Sequence, residues 1–275
     1  MFPSEKGRSP VNILYSTNKK AVPYLLTSLR SLSKNGGDAE YNVFILHSEL
    51  TEEKQAAIAC AVAENIRLTF VVVPTDIFLR FPTTKRYPTE IYYRLAAPLL
   101  LPKELDRILY LDTDTVVINS LKTLYDLPLG DDYLAASTNA RELLTTFNRL
   151  RLGVKKKNPY VNTGVLLMNL PALRDAIDLD RIAQWTRKKR AVMWLPDQDI
   201  VFALYGDKIR LIDGMVYNIS DRAIRLWNVG KRRGRIDLEW VKKNSAIVHY
   251  LGRNKPWKKK YRGILGVFYR ELCGE

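Results

Sequence analysis

The chain has 275 residues, a hydrophobic fraction of 47% and a formal net charge of +15. These values fit one α/β domain with a C-terminal extension and exclude a disordered chain of low hydrophobicity. No apolar run approaches the roughly 20 residues a spanning helix needs, and the polar start from Met1 to Pro10 has no secretory pattern.

Val11 to Ser16 reads as a first strand and Val22 to Ser33 as a helix. Asn35-Gly36-Gly37 stops that helix, because glycine takes the left-handed conformation a helix end favours. Tyr41 to Leu46 is a second strand. Thr51 stands at the N-cap of a helix to about Glu64, with Glu52 and Glu53 complementing its dipole. Cys60 lies in this alanine-rich helix and reads as a small core residue, while Cys273 lies in the tail. The two cysteines are outside any metal-ligand spacing, which predicts a reducing, cytoplasmic setting. Arg67 to Val73 is a third strand. Strands alternating with helices in this way predict a mostly parallel, Rossmann-like sheet, with ligands at the carboxyl ends of its strands.

After a loop from Pro74 to Pro88, a helix from Thr89 carries Tyr92, Tyr93 and Arg94. A strand follows from Arg107. Tyr133 to Ser137 is a short strand and Tyr160 to Leu170 a long apolar one, with Asn162 and Thr163 inside it. Leu179 to Lys189 and Asp197 to Tyr205 read as helices, and Ala246 to Tyr250 as a late strand. Residues 1–10 read as a flexible N-terminus, 11–257 as the domain and 258–275 as a basic, aromatic tail. The stretch from Arg222 onward reads as an appendage rather than a core of its own.

The apolar strand Arg107 to Leu111 ends on Asp112-Thr113-Asp114. Two carboxylates where a strand leaves the core need something to repay their desolvation. Residues i and i+2 of an extended segment point the same way, so Asp112 and Asp114 can converge on Mg2+ or Mn2+. A surface turn is the competing reading. His249 ends a strand as well and suits Mn2+ as a third ligand, although a lone histidine is more often structural. Beyond it, Gly252 allows backbone approach to a phosphate and Lys255 can reach a diphosphate as a point charge. Asp197 is either a helix N-cap or, with Gln198, a polar group for a sugar. Buried Asn162 and Thr163 need partners, which a hydroxyl-rich ligand supplies. His47 reads as a structural or loop residue.

The ordered motifs Leu-Asp-Thr-Asp, Asn-Thr-Gly-Val-Leu-Leu-Met-Asn-Leu, Asp-Gln-Asp and His-Tyr-Leu-Gly-X-X-Lys-Pro-Trp span Leu111 to Trp257. In that order they resemble glycosyltransferase family 8. The likeness is to its bacterial lipopolysaccharide galactosyl- and glucosyltransferases and, more distantly, to the glycogenins. It implies a GT-A-type fold and retaining transfer of glucose or galactose from a UDP-sugar to a glycan, glycolipid or glycoprotein. It implies Asp112, Asp114 and His249 as ligands of Mn2+ or Mg2+. Donor contacts would come from Asn18, Arg94, Asp112, Thr113 and Asn139, together with Asn162, Thr163, Gly252 and Lys255. Asp197 and Gln198 would stand at the reacting carbon. Gln198 is a poor nucleophile, which favours a front-face route over double displacement. Two positions depart from the family pattern. Asn18 stands where an acidic residue usually meets the base, and Asn139 where lipopolysaccharide enzymes often carry Asp.

Fourteen basic residues lie between Arg222 and Arg262, opposed by Asp237 and Glu239. The cluster fits nucleic acid, an anionic membrane, a phosphorylated substrate or a solvated face. With lipid-linked acceptors common in the family, peripheral docking on the inner face of a membrane is the expectation. Arg232, Arg233, Lys258, Lys259, Lys260 and Arg262 would meet the lipid, with Trp257, Tyr261 and Phe268 as apolar contacts. Rival readings are a metal-dependent nucleotidyltransferase, which should carry a glycine-rich phosphate loop, and a nucleic-acid-binding protein, which should expose stacking aromatics. The chain has neither feature, and no nucleic-acid partner is expected.

Overall fold

The computed structural model describes residues 10–84, 87–138, 142–230 and 234–273. Asn139, Arg232 and Arg233 lie outside the described residues. Nine strands are present among those described: β1 (Val11–Ser16), β2 (Tyr41–His47), β3 (Ile66–Val72), β4 (Arg107–Leu111), β5 (Thr115–Val117), β6 (Leu134–Ser137), β7 (Val165–Asn169), β8 (Ile209–Ile212) and β9 (Ile247–His249). The helices in the first half are α1 (Val22–Asn35), α2 (Glu52–Cys60), α3 (Tyr93–Leu100), α4 (Lys122–Tyr125) and α5 (Glu142–Leu152). Then come α6 (Leu170–Ala176), α7 (Leu179–Lys189), α8 (Pro196–Ile200), α9 (Gly214–Tyr217), α10 (Asp221–Asn228), α11 (Leu238–Asn244) and α12 (Gly266–Cys273).

Seven strands form one sheet in the order β3-β2-β1-β4-β7-β6-β8, and β5 and β9 form a separate antiparallel pair. β3, β2, β1 and β4 are mutually parallel, β6 and β8 are parallel, and β7 runs against both of its neighbours. The expected mostly parallel α/β sheet is therefore present. Its order turns at β1, with β2 on one side and β4 on the other. This opens a crevice at the carboxyl ends of β1 and β4, the usual ligand position in such sheets.

Two apolar layers cover the sheet. Leu14, Tyr110, Leu166 and Met168 point into one, and Ile13, Leu109, Leu111, Val165 and Leu167 into the other. The alternation along β4 and β7 follows from the strand period of two. Each fully buried aliphatic or aromatic side chain contributes about 1.5–3 kcal/mol, so these layers dominate the fold's stability. A third cluster joins Val116 and Val248 of the β5–β9 pair to Ile224, Val241, Leu265 and Phe268. The segment from Arg222 onward is thus built into a core around β9 and is not an appendage.

Other local expectations are corrected. Thr51 is the N-cap of α2, but its side chain makes no capping bond. α2 buries only Ile58, so Cys60 is exposed. The long strand ending at Leu170 shrinks to Val165–Asn169, leaving Asn162 and Thr163 before it. Phe268 is buried, Trp257 stacks on Tyr24 at 3.7 Å between centroids, and the Tyr261 hydroxyl donates to Asp221. Phe268 is therefore not free for a lipid surface, while Trp257 and Tyr261 are half-buried in contacts within the fold. No helix among the described residues is long and apolar enough to cross a membrane.

Candidate active site

β4 ends at Leu111, opposite Val165 of the antiparallel strand β7. Asp112 therefore leaves the sheet beside Gly164, whose carbonyl accepts from the Asp112 N–H at 2.8 Å. The chain then turns. The N–H and hydroxyl of Thr115 both donate to the Asp112 carbonyl, at 3.1 and 2.8 Å. The two carboxylates converge through this turn rather than along an extended segment, because Thr115 must swing out to start β5. Thr115 of β5 then pairs with His249 of β9, which sets the imidazole beside both aspartates.

One ligand atom from each of Asp112, Asp114 and His249 lies within 4.8 Å of the others. His249 Nε2 is 3.1 Å from Asp114 Oδ1 and 3.6 Å from Asp112 Oδ2. Gly164 permits this approach. A β-carbon there would fall 2.1 Å from His249 Cε1 and 2.6 Å from Asp112 Oδ2. Two carboxylates and one imidazole form a donor set suited to Mn2+ or Mg2+.

The imidazole is oriented from behind. The Gly164 N–H donates to Asn162 Oδ1 at 3.0 Å, so that atom is an oxygen. Asn218 Nδ2 donates to the same oxygen at 2.9 Å and to Ser137 Oγ at 3.0 Å. Its Oδ1 is thereby turned to His249 Nδ1, at 2.8 Å, and must accept a proton from it. Nε2 is left facing the carboxylates, where it offers its lone pair to a cation or, without one, donates a hydrogen bond to Asp114 Oδ1 at 3.1 Å. Such outer contacts fix the tautomer of ligating histidines.

Arg94, in the first turn of α3, is buried against Asp112 Oδ1 at 2.9 Å and Asp197 Oδ2 at 3.3 Å. It also donates to the Thr163 carbonyl at 2.6 Å, and its Nε is buried without a partner. Tyr110, whose ring lies 4.5 Å from the Arg94 guanidinium carbon, donates to Asp112 Oδ1 at 2.8 Å. Burial pushes the Tyr110 hydroxyl well above its ordinary range, so it remains a donor. Lys255 pairs with Asp114 Oδ2 and donates to the Tyr250 carbonyl at 2.7 Å. Burial opposes ionisation of Asp114. His249 and then Lys255 outweigh that cost and hold its carboxyl below the ordinary range.

Two cavities meet this cluster. One of about 290 Å³ is lined by Asn18, Glu90, Arg94, Asp112, Thr113, Asp114 and Lys255. The other, of about 590 Å³, is lined by Asn162, Gln198, His249, Gly252 and Asn254, with Leu144, Leu226 and Trp227 on its apolar side. Asp197 and Thr163 line neither. The Thr163 hydroxyl donates to Asp197 Oδ2 at 2.6 Å, so Asp197 braces Arg94 instead of capping α8. Asp199 is fully buried, bound by both terminal nitrogens of Arg151 at 2.6 and 2.9 Å and by the Tyr160 hydroxyl at 2.7 Å. Of the Asp-Gln-Asp run, Gln198 is the residue that lines one of these two cavities.

Asn18 lines the smaller cavity, but its amide is engaged. Nδ2 donates to Glu90 Oε1 at 3.0 Å, and Oδ1 accepts from the N–H groups of Lys20 and Ala21 at 3.1 Å each. Buried His47 accepts from the Leu50 N–H at 3.3 Å, as a structural residue would. Asn218, Ser137 and Glu90 are the site residues that sequence reading misses. The signal for Asn218 was a polar residue between Tyr217 and Ile219, which no local pattern explains.

The open α/β sheet, with a carboxylate–imidazole cluster in the crevice at its switch point, is the arrangement of a GT-A-type glycosyltransferase, as likeness to solved structures shows. The chain belongs to glycosyl transferase family 8, whose model matches residues 12–261. Among solved structures it is similar to the galactosyltransferase LgtC, determined with donor and acceptor sugar analogues. The TM-score is 0.81 at 26% identity, covering 96% of this chain and 95% of that one. An LgtC active-site variant with glutamine changed to glutamate matches at TM-score 0.80 and 25% identity, with the same coverage. Among sequences, a candidate glycosyltransferase of Haemophilus influenzae is 28% identical over 258 residues, 91% of this chain and 74% of that protein. The lipopolysaccharide 1,2-glucosyltransferase of Escherichia coli K12 is 23% identical, covering 90% of this chain and 73% of that protein.

Proposed function

We propose that this hexosyltransferase moves glucose or galactose from a UDP-sugar to a saccharide acceptor of the lipopolysaccharide type, with retention of configuration. The observation that carries the reading is the convergence of Asp112, Asp114 and His249 where two cavities meet. The smaller cavity takes the nucleotide diphosphate. Arg94, Thr113 and Lys255 offer it cationic and hydroxyl contacts, and Glu90, held by Asn18, supplies the carboxylate for the base that the first strand lacks. The larger cavity takes the hexose and the acceptor.

Asp112, Asp114 and His249 would hold Mn2+ or Mg2+, which when bound offsets the negative charge developing on the leaving diphosphate. The protein's own groups position and enclose the reactants, since hydrolysis of the donor is the competing reaction. Asn162 and Gln198 present amide groups to sugar hydroxyls, and Gly252, at φ +76°, gives close backbone approach. Gln198 is a weak nucleophile. The leaving phosphate would then take the acceptor's proton, which is the front-face route. The LgtC active-site glutamine supports Gln198 in this place, as it is the glutamine of this chain that lines the cavity. Asn139, just past β6, is proposed as a further donor contact.

The test is a thermal-shift screen of UDP-glucose and UDP-galactose with and without Mn2+, because a ligand that binds only the folded state raises its melting temperature. The reading expects stabilisation by one of the two sugars in Mn2+ and loss of it in excess chelator. Failure of both sugars to stabilise in Mn2+ would overturn it.

A further inference from the structure

We propose that the outer face of α5, together with Trp194, docks on an anionic lipid surface. An ordinary surface helix turns its apolar stripe inward. α5 buries Leu152 but turns most of its apolar residues outward. Leu143, Phe147 and Leu150, spaced i, i+4, i+7, are 85, 45 and 73% exposed, whereas Asn148 is buried. Trp194, 56% exposed, extends this stripe, its ring centroid 5.2 Å from that of Phe147.

The orientation of α5 is fixed from beneath. Arg151 must reach the fully buried Asp199, and its Nε also donates to Asn148 Oδ1 at 2.9 Å. Neither polar group can rotate outward without stranding a buried charge, so the apolar stripe is held in solvent. A contiguous apolar surface of this kind marks a contact site.

The surround is basic. Lys155 and Lys157 follow α5, Arg187 and Lys188 lie in the last turn of α7, and Arg190 follows it; all five are exposed. Gly153 brings the two segments together, since a β-carbon there would lie 3.1 Å from Lys189 Nζ. Neither 143–157 nor 186–194 contains an acidic residue. Apolar side chains among cations match the boundary of an anionic bilayer, where the first enter the acyl edge and the second meet phosphates. A second copy fits poorly, because a two-fold contact would oppose two basic rims. Leu144 on the same helix lines the larger cavity with Gln198, so a docked α5 sets that cavity at the lipid surface. This last point rests on the acceptor reading above; the docking does not.

The experiment is co-sedimentation with vesicles of phosphatidylcholine and phosphatidylglycerol, against phosphatidylcholine alone, without donor or acceptor. The unmodified protein should bind only the anionic vesicles. Leu143→Ser combined with Phe147→Ser and Leu150→Ser should lower binding at least tenfold. So should Lys155→Gln, Lys157→Gln, Arg187→Gln and Lys188→Gln together. Both variants should keep the parent melting temperature and Mn2+ affinity, as all the changed side chains are exposed. Lys258→Gln, Lys259→Gln, Lys260→Gln and Arg262→Gln together should keep most of the binding. Three results would overturn the proposal: no binding by the unmodified protein, equal binding by the serine variant, or a dimer in sedimentation velocity that the serine variant abolishes. The last would assign the face to a second copy.

Discussion

His249 Nδ1 lies 2.8 Å from Asn218 Oδ1, and Asn218 is itself turned by Asn162, whose amide answers to the backbone N–H of Gly164. A main-chain proton thus dictates, through two amides, which imidazole nitrogen faces the carboxylates. Asn218→Leu keeps the side-chain size but breaks this relay. It should weaken Mn2+ binding by about 10–100-fold, the usual effect of losing such an outer contact. Calorimetric titration with Mn2+ reads the affinity. The 15N shifts of His249 in the metal-free variant should show that the Nδ1-protonated tautomer no longer dominates.

Gly164→Ala should abolish Mn2+ binding more completely than Asn218→Leu. The added methyl would sit 2.1 Å from the imidazole and 2.6 Å from Asp112, so one of the two must leave. Overpacking of this kind costs about 1–3 kcal/mol of stability. A modest drop in melting temperature with no measurable Mn2+ binding is the expected result.

Asp199→Ala should damage folding rather than chemistry. It strands the buried Arg151 guanidinium, a loss of about 3–5 kcal/mol for a buried pair. The exposed Lys156–Asp207 pair is the comparison, and Asp207→Asn should cost under about 1 kcal/mol. Denaturant melts of the two variants check the difference, and equal losses would count against the reading of Asp199 as the anchor of α5 and α8.

Much of this was legible in the sequence. A hydrophobic strand ending on Asp112 and Asp114, and another ending on His249, mark a site because carboxylates where a central strand leaves the core need something to repay their desolvation. The parallel half of the sheet followed from alternating strands and helices. What escaped notice depends on tertiary packing. Asn162 and Thr163 read as strand residues because their neighbours are apolar, yet β7 starts only once Gly164 has passed the Asp112 turn. Asp197 and Asp199 look alike in sequence, but one braces Arg94 and the other Arg151. Cys60 read as core from an alanine-rich helix, and only the sheet shows that α2 presents little beyond Ile58 to it. α5 was not anticipated at all, since Asn148 and Arg151 face inward beside Leu152 while most of its apolar residues face out.

Gln198→Ala separates the sugar contact from the metal cluster. Its side chain lines the larger cavity and is no part of the Asp112, Asp114 and His249 group, so Mn2+ affinity should change little while donor affinity and kcat both fall. Steady-state kinetics alongside Mn2+ and donor titration distinguishes this from a general loss of structure. Unchanged donor affinity together with unchanged kcat would move Gln198 out of the proposed role.

The central claim is that Asp112, Asp114 and His249 together hold the ion through which this site engages a UDP-sugar. Titration calorimetry of the screened UDP-hexose into the unmodified protein and into Asp114→Asn, each with Mn2+ and again with excess chelator, tests it most directly. The account predicts binding by the unmodified protein in Mn2+, and a large loss of affinity both in chelator and in Asp114→Asn, whose melting temperature stays close to the parent's. Equal affinity with and without Mn2+, or full Mn2+-dependent binding by Asp114→Asn, would contradict it.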